Sequence, residues 1–122
     1  MANYYTEHPE IEFHLDNPLM RRIVELKERS YVDKDEFDDA PVNYEDAIEN
    51  YKRILDITGD VAGNVIEPNS ESVDQEGPHL VDGRMVYAEK TKENIEATRQ
   101  AGLWGVSMPS RFGGLNLPLT VF

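Results

Sequence analysis

Four residues near the start of the chain have the types and spacing of a metal site. His8, Glu10, Glu12 and His14 fall on every second position of "TEHPEIEFHLDNP", with Pro9, Ile11, Phe13 and Leu15 between them. In an extended chain alternate side chains share a side. Two imidazoles and two carboxylates on one edge form a donor set for a divalent cation. The same alternation describes a segment with one packed and one solvated side, and no further ligand cluster stands beside it. The solvated edge is the stronger reading. "YVDKDEFDDAP" offers a second site, since Asp33 and Asp35 open like a calcium loop. Its sixth position is Asp38 where glycine is required, and its twelfth is Tyr44 where a bidentate Glu is required. An acidic, solvated connector is the reading that remains.

Other chemistry is thinner still. The chain has no cysteine, which excludes disulfides, thiolate metal sites and Cys nucleophiles. Three scattered histidines make no Ser/His/Asp arrangement. Gly102 and Gly105 do not make a phosphate loop or a dinucleotide fingerprint. The net charge is −12, and without a Lys/Arg patch the chain is not expected to bind nucleic acid or an anionic membrane surface. Residues 1–50 carry 14 Asp/Glu against 5 Lys/Arg, so the acidity is mostly an N-terminal property. No basic leader precedes an apolar run, and no stretch is apolar enough to span a membrane. The expected location is cytoplasmic.

The elements that must position any site read as all-α. "DNPLMRRIVELKERS" has Asn17 as N-cap and Pro18 in the first helical position. Its expected apolar stripe is Leu19, Ile23 and Leu26, flanked by Met20 and Val24. A longer helix is expected from Tyr44 to Ile66, capped by Asn43 and stopped by Pro68. Gly59 and Gly63 lie one turn apart on it, and interior glycines cost about 0.5–1 kcal/mol each against alanine. Their presence points to a backbone or helix that comes close. A polar excursion follows from Asn69, and Asp82-Gly83 between short apolar pieces signals a small hairpin. "AEKTKENIEATRQAG" returns to helix, with Gly102 as its terminator and Leu103 and Trp104 folding back on its end. Two regions are expected: 1–42, an extension with an extended start, one helix and an acidic loop, and 43–122, a helical domain.

The most apolar stretch is "AGLWGVSMPSRFGGLNLPLTVF". Pro109 restrains the residues before it to an extended approach. Gly113-Gly114 permits positive φ and close backbone approach, and Leu115 to Leu119 reads as the entry to a further helix. From Ala101-Gly102 through Pro109, Phe112 and Gly113-Gly114 to Leu119, the string resembles the signature segment of the N-terminal domain of acyl-CoA dehydrogenases. Ser110-Arg111 stands where an acidic pair is commoner there, and Asn116 where a further Gly is usual. "VAGNVIEPNSESVDQEG" is similar to that family's second-helix pattern. "IEFHLDN", the acidic loop and "GPHLVDGRMV" resemble its longer branch with an extra N-terminal segment, the methylthiopropionyl-CoA type.

The resemblance implies the first domain of a longer, FAD-dependent enzyme of fatty acid metabolism that oxidises an acyl-CoA to a 2-enoyl-CoA. In that family a glutamate removes the α-proton, the flavin accepts the β-hydride, and electrons pass to an electron-transferring flavoprotein. The next helices, which line the acyl pocket, would begin near Phe122, a middle β domain and a C-terminal helical domain would follow, and a homo-oligomer is implied. The catalytic base and the flavin contacts fall in those later domains, so residues 1–122 alone are expected to bind no FAD and to be inactive. Within the chain, Pro109, Phe112, Gly113 and Gly114 are expected to shape the entry to the acyl pocket. The apolar tail is then surface meant for the absent domains. The competing reading is a stand-alone acidic helical adaptor that docks a partner through this tail, and a metal module on His8, Glu10, Glu12 and His14 ranks third.

Overall fold

Three successive left-handed residues, Arg29 to Tyr31, and one widened helical turn, Ala62–Ile66, redirect the chain between its helices. The computed structural model describes residues 2–121, and its architecture is predominantly helical. The helices are α1 (Tyr4–Glu7), α2 (Pro9–Leu15), α3 (Met20–Lys27), α4 (Tyr44–Val61), α5 (Glu67–Glu76) and α6 (Glu89–Gln100). A two-stranded hairpin, β1 (His79–Val81) and β2 (Arg84–Val86), lies between α5 and α6. The expected further helix near Phe122 falls outside the described residues.

The N-terminal segment is helical, not extended. His8 stands at the N-cap position of α2 without a side-chain capping bond, and Pro9 occupies the first turn, where a missing N–H is no loss. With 3.6 residues per turn, Ile11 and Leu15 share the inward face, and Leu15 is buried while Phe13 is exposed. The alternating pattern was compatible with both periods, and the Pro-led helix start prevailed. Asn3 caps α1 through its side-chain oxygen, which accepts from the N–H groups of Tyr5 and Thr6.

In α3 the buried pair is Met20 and Val24, both with no exposure, whereas Leu19 and Leu26 are more than 60% exposed. The expected stripe is thus rotated by about one residue. Asn17 does accept from Leu19 N–H, but as a cap for the turn that precedes Met20. After α3, Arg29, Ser30 and Tyr31 take positive φ in succession, reversing the chain so that Tyr31 lies against the core.

Asn43 caps α4 as expected, accepting from Asp46 N–H at 2.9 Å. Ala47 and Tyr51 are its most buried side chains. Pro68 does not stop this helix. Ala62–Ile66 widens into a π turn, and Glu67 N–H donates to the Ala62 carbonyl five residues back. A π turn re-spaces the backbone so that the proline ring can enter without breaking the rod, and Pro68 opens α5 in its first turn. The expected polar loop after Asn69 is therefore helix to Glu76. Gly59 and Gly63 have the close neighbour that their spacing called for: α1 and the residue before its cap cross them. A Cβ at Gly59 would stand 2.3 Å from Asn3 Oδ1 and 2.5 Å from Tyr5 N, and one at Gly63 2.6 Å from Ala2 O.

The hairpin forms where Asp82-Gly83 predicts it, with Leu80 opposite Met85 and both central residues at positive φ. α6 ends in a Schellman motif. Gly102 N–H donates to Arg99 O and Leu103 N–H to Thr98 O, with Gly102 at φ +73°. Trp104 folds back as expected, its indole N–H donating to Thr98 Oγ1. One core joins Leu15, Met20 and Val24 to Ala47, Tyr51, Val106 and Leu117, so it runs through both of the expected regions.

Candidate functional site

The terminal segment from Ala101 to Val121 is a folded clasp. A turn closes Gly105 to Met108 through Met108 N–H donating to Gly105 O, which replaces the extended approach expected before Pro109. Pro109 then leads one 3-10 turn, Ser110–Phe112. Gly113 caps that turn at φ +82°. The chain returns antiparallel to its own start: Asn116 N–H donates to Met108 O and Leu117 N–H to Val106 O, each at 2.9 Å. Gly114 sits inside this closure, where a Cβ would lie 2.1 Å from Met108 O and 2.6 Å from Met108 C. Past it, Leu115–Pro118 is not helical, and a turn joins Pro118 to Val121.

The four expected pocket-shaping residues are thus brought together in one loop with different surroundings. Gly113 and Gly114 set its geometry and Pro109 starts it. Phe112 is 66% exposed, with the Arg111 guanidinium 4.8 Å from its ring centre. The clasp splits its apolar side chains. Val106 and Leu117 are buried in the core, while Trp104, Met108, Phe112 and Leu119 remain on the outside. The tail is therefore only partly the free surface that its composition implied. The Gly-Gly pair does not fit the role of a phosphate cradle, because the carbonyl of Met108 already fills the space beside Gly114.

The inner side of the clasp meets a polar centre that the residue pattern did not single out. Glu28, the C-cap of α3, is 3% exposed. Tyr51 Oη donates to its Oε1 at 2.6 Å, and Asn116 Nδ2 to its Oε2 at 3.1 Å. Asn116 Nδ2 also reaches the Lys27 carbonyl. Burial pushes the Glu28 carboxyl above its ordinary value, and the bonds from Tyr51 and Asn116 only partly offset this. Burial likewise pushes the Tyr51 phenol far up, with the Glu28 carboxylate adding to the effect. An open cleft of about 400 Å³ leads to Glu28 and Tyr51 past Asp38, Asp46 and Arg53. One signal was present in the sequence: Met20, Val24 and Glu28 are spaced by four, so a carboxylate continues the buried stripe. Nothing local marked Tyr51 or Asn116 as its partners.

The four metal-ligand candidates are dispersed. On a helix His8, Glu10, Glu12 and His14 no longer share a side. Glu10 bonds to His8 Nδ1 at 2.9 Å, and Glu12 pairs with Lys52 of α4. Among the described residues no group of three or more His, Cys, Asp or Glu is placed to hold a metal ion, and no helix is long and apolar enough to cross a membrane. Comparison with protein-family models, with curated proteins and with solved structures finds no match to this chain.

Proposed function

We propose that this chain is the N-terminal helical domain of an FAD-dependent acyl-CoA dehydrogenase, a protein that oxidises an acyl-CoA to a 2-enoyl-CoA. The observation that carries the reading is the clasp from Ala101 to Leu119. Its residues resemble the family's signature string in order and spacing, with departures at Ser110-Arg111 and Asn116. Its outer side presents Trp104, Met108, Phe112 and Leu119 to solvent, an apolar set of the kind that marks a contact surface. A predominantly helical fold is compatible with this role. On this reading the flavin, the acyl-CoA and the catalytic glutamate are held by further domains, and the contribution of residues 1–122 is to seat the start of the acyl pocket. A cofactor of that kind supplies the hydride chemistry, and protein supplies binding and orientation.

The test is the encoded protein at its full length, purified and examined for a bound flavin that bleaches on addition of an acyl-CoA. The expected result is a polypeptide that continues past Phe122, carries FAD and is reduced by the thioester. A reading frame that stops at Phe122, or a longer product without flavin, overturns the assignment. The stand-alone acidic adaptor remains the competing reading, since the same exposed side chains would serve it, and the stop at Phe122 is the outcome it requires.

A further inference from the structure

The order of residues shows no basic patch, yet the fold assembles a small one. Lys27 ends α3, Arg29 begins the left-handed turn after it, and Arg111 stands on the 3-10 turn of the clasp. All three line one open cleft of about 310 Å³. Asp33 is the one carboxylate in its lining, so three positive groups meet one negative group in a chain of net charge −12. The larger cleft above Glu28 has the opposite balance, with Asp38, Asp39 and Asp46 set against Arg53.

What holds these cations leaves most of their charge uncompensated. Lys27 Nζ donates at 3.2 Å to the Ser107 carbonyl, a neutral acceptor 80 residues away in the sequence. The Arg111 guanidinium lies 4.8 Å from the centre of the Phe112 ring. Of the three, only Arg29 has a carboxylate partner among the described residues, Asp33 Oδ1 at 2.6 Å. That bond uses one of the five donors a guanidinium carries. Arg29 is also held at φ +49°, a left-handed conformation of the costly kind that ligand clamps employ.

The groups that would oppose an anion here are already occupied. At the end of α3 the Val24 and Leu26 carbonyls accept from Glu28 N–H, and the Lys27 carbonyl accepts from Asn116 Nδ2. Glu28 is buried and bonded to Tyr51 and Asn116, outside the lining of this cleft. At physiological salt, exposed charges beyond about 8 Å are largely screened, so the acidic remainder of the chain contributes little. Leu26 and Pro109 add an apolar wall. Two guanidinium forks and an ammonium, opposed by one carboxylate, suit a dianion with several acceptor oxygens, and a phosphomonoester carries close to two charges at neutral pH.

We propose that the cleft between the end of α3 and the clasp binds a phosphomonoester carried on a small apolar body. Lys27 and Arg111 supply the charge, Arg29 adds a donor beside Asp33, and Leu26 and Pro109 pack against the organic part. The site lies within this chain and does not rest on the acyl-CoA reading, which places its ligand in further domains.

The experiment titrates the whole chain at neutral pH with phenyl phosphate, followed by NMR of the backbone amides and the arginine side-chain N–H groups. Inorganic phosphate and benzoate are the comparison probes. The expected result is saturable shifts centred on Lys27, Arg29, Arg111 and Asn116, with phenyl phosphate bound more tightly than either comparison. Benzoate lacks the second charge, and inorganic phosphate lacks the apolar body. Arg111→Gln, at an exposed position, is expected to weaken phenyl phosphate by about tenfold or more, the loss of a hydrogen bond to a charged group. Asp33→Asn, which removes the opposing carboxylate and releases Arg29, is expected to tighten it severalfold. Leu26→Ala is expected to weaken phenyl phosphate and leave inorganic phosphate unchanged. Shifts that rise without saturation, or that scatter over the other surface cations, overturn the site. An Arg111→Gln or Asp33→Asn variant that binds as the parent does so too. Equal affinity for benzoate overturns the phosphate assignment, and equal affinity for inorganic phosphate overturns the apolar body.

Discussion

Gly114 and Gly113 are neighbours, yet alanine should cost very different amounts at the two positions. At Gly113 the backbone is left-handed, at φ +82°, but nothing lies within 4 Å of an added Cβ. Gly113→Ala therefore carries only the conformational penalty, about 1–2 kcal/mol. At Gly114 the added methyl would meet a backbone carbonyl at 2.1 Å, and no rotamer change can move it. Relief requires the return strand to lift from Val106–Met108. That weakens the bonds from Asn116 and Leu117 to Met108 and Val106, each with a net value of about 0.5–1.5 kcal/mol. Full exposure of Leu117 would add about 1.5–3 kcal/mol. The upper limit, with the clasp wholly open, is about 6 kcal/mol, a large share of the roughly 5–15 kcal/mol by which domains are stable. Partial lifting places Gly114→Ala at about 2–4 kcal/mol. With urea slopes of roughly 1–3 kcal/mol per molar, its unfolding midpoint should fall by about 1 M or more, and by clearly more than that of Gly113→Ala. Equal midpoints for the two variants, or a Gly114→Ala midpoint at the parent value, would refute the closure described for the clasp.

Three further outcomes are expected. Gly59→Ala would drive a methyl into Asn3 and the backbone of Tyr5, so hydrogen exchange at Tyr5, Thr6 and Glu7 should quicken while the protection of Tyr51 holds. Met20→Ala empties a fully buried site and should cost about 2–5 kcal/mol in a urea melt. Leu26→Ala, at a residue 62% exposed, should change stability by no more than about 0.5 kcal/mol.

What the residues disclosed and what they concealed divide along a physical line. Signals that are local in the chain were legible: the Asn43 cap, the Asp82-Gly83 turn, the Gly102 terminator and the return of Trp104 all act within a few residues. The Gly59 and Gly63 pair was also legible as a close approach, although nothing in the sequence said that α1 would make it. Pro68 misled because its effect depends on the turn before it. A proline ends an α-helix, but a π turn at Ala62–Ile66 removes the clash. The segment from His8 to Leu15 misled because short apolar runs satisfy two periods at once. The Glu28 centre was concealed for a third reason. Its partners are 23 and 88 residues away, and no local pattern encodes a contact at such separation.

The clasp also changes what the apolar tail requires. From composition alone the tail has one role, to be covered by something else. The backbone gives it two. Residues at the base of the loop, Val106 and Leu117, close the core of this chain, and Asn116 joins the polar centre beneath it. Residues displaced from that base, Trp104, Met108, Phe112 and Leu119, face out. The separation depends on Gly114, since only a residue without a side chain lets the two limbs come together and turn these two sets apart. If the outer set docks a further domain, as proposed, the same hinge couples that docking to the packing of α3 and α4. Opening the clasp from within, by crowding Gly114, would then displace the outer surface as well. The inner core and the outer contact are therefore expected to fail together in Gly114→Ala, and separately in Phe112→Ala, which touches only the outside.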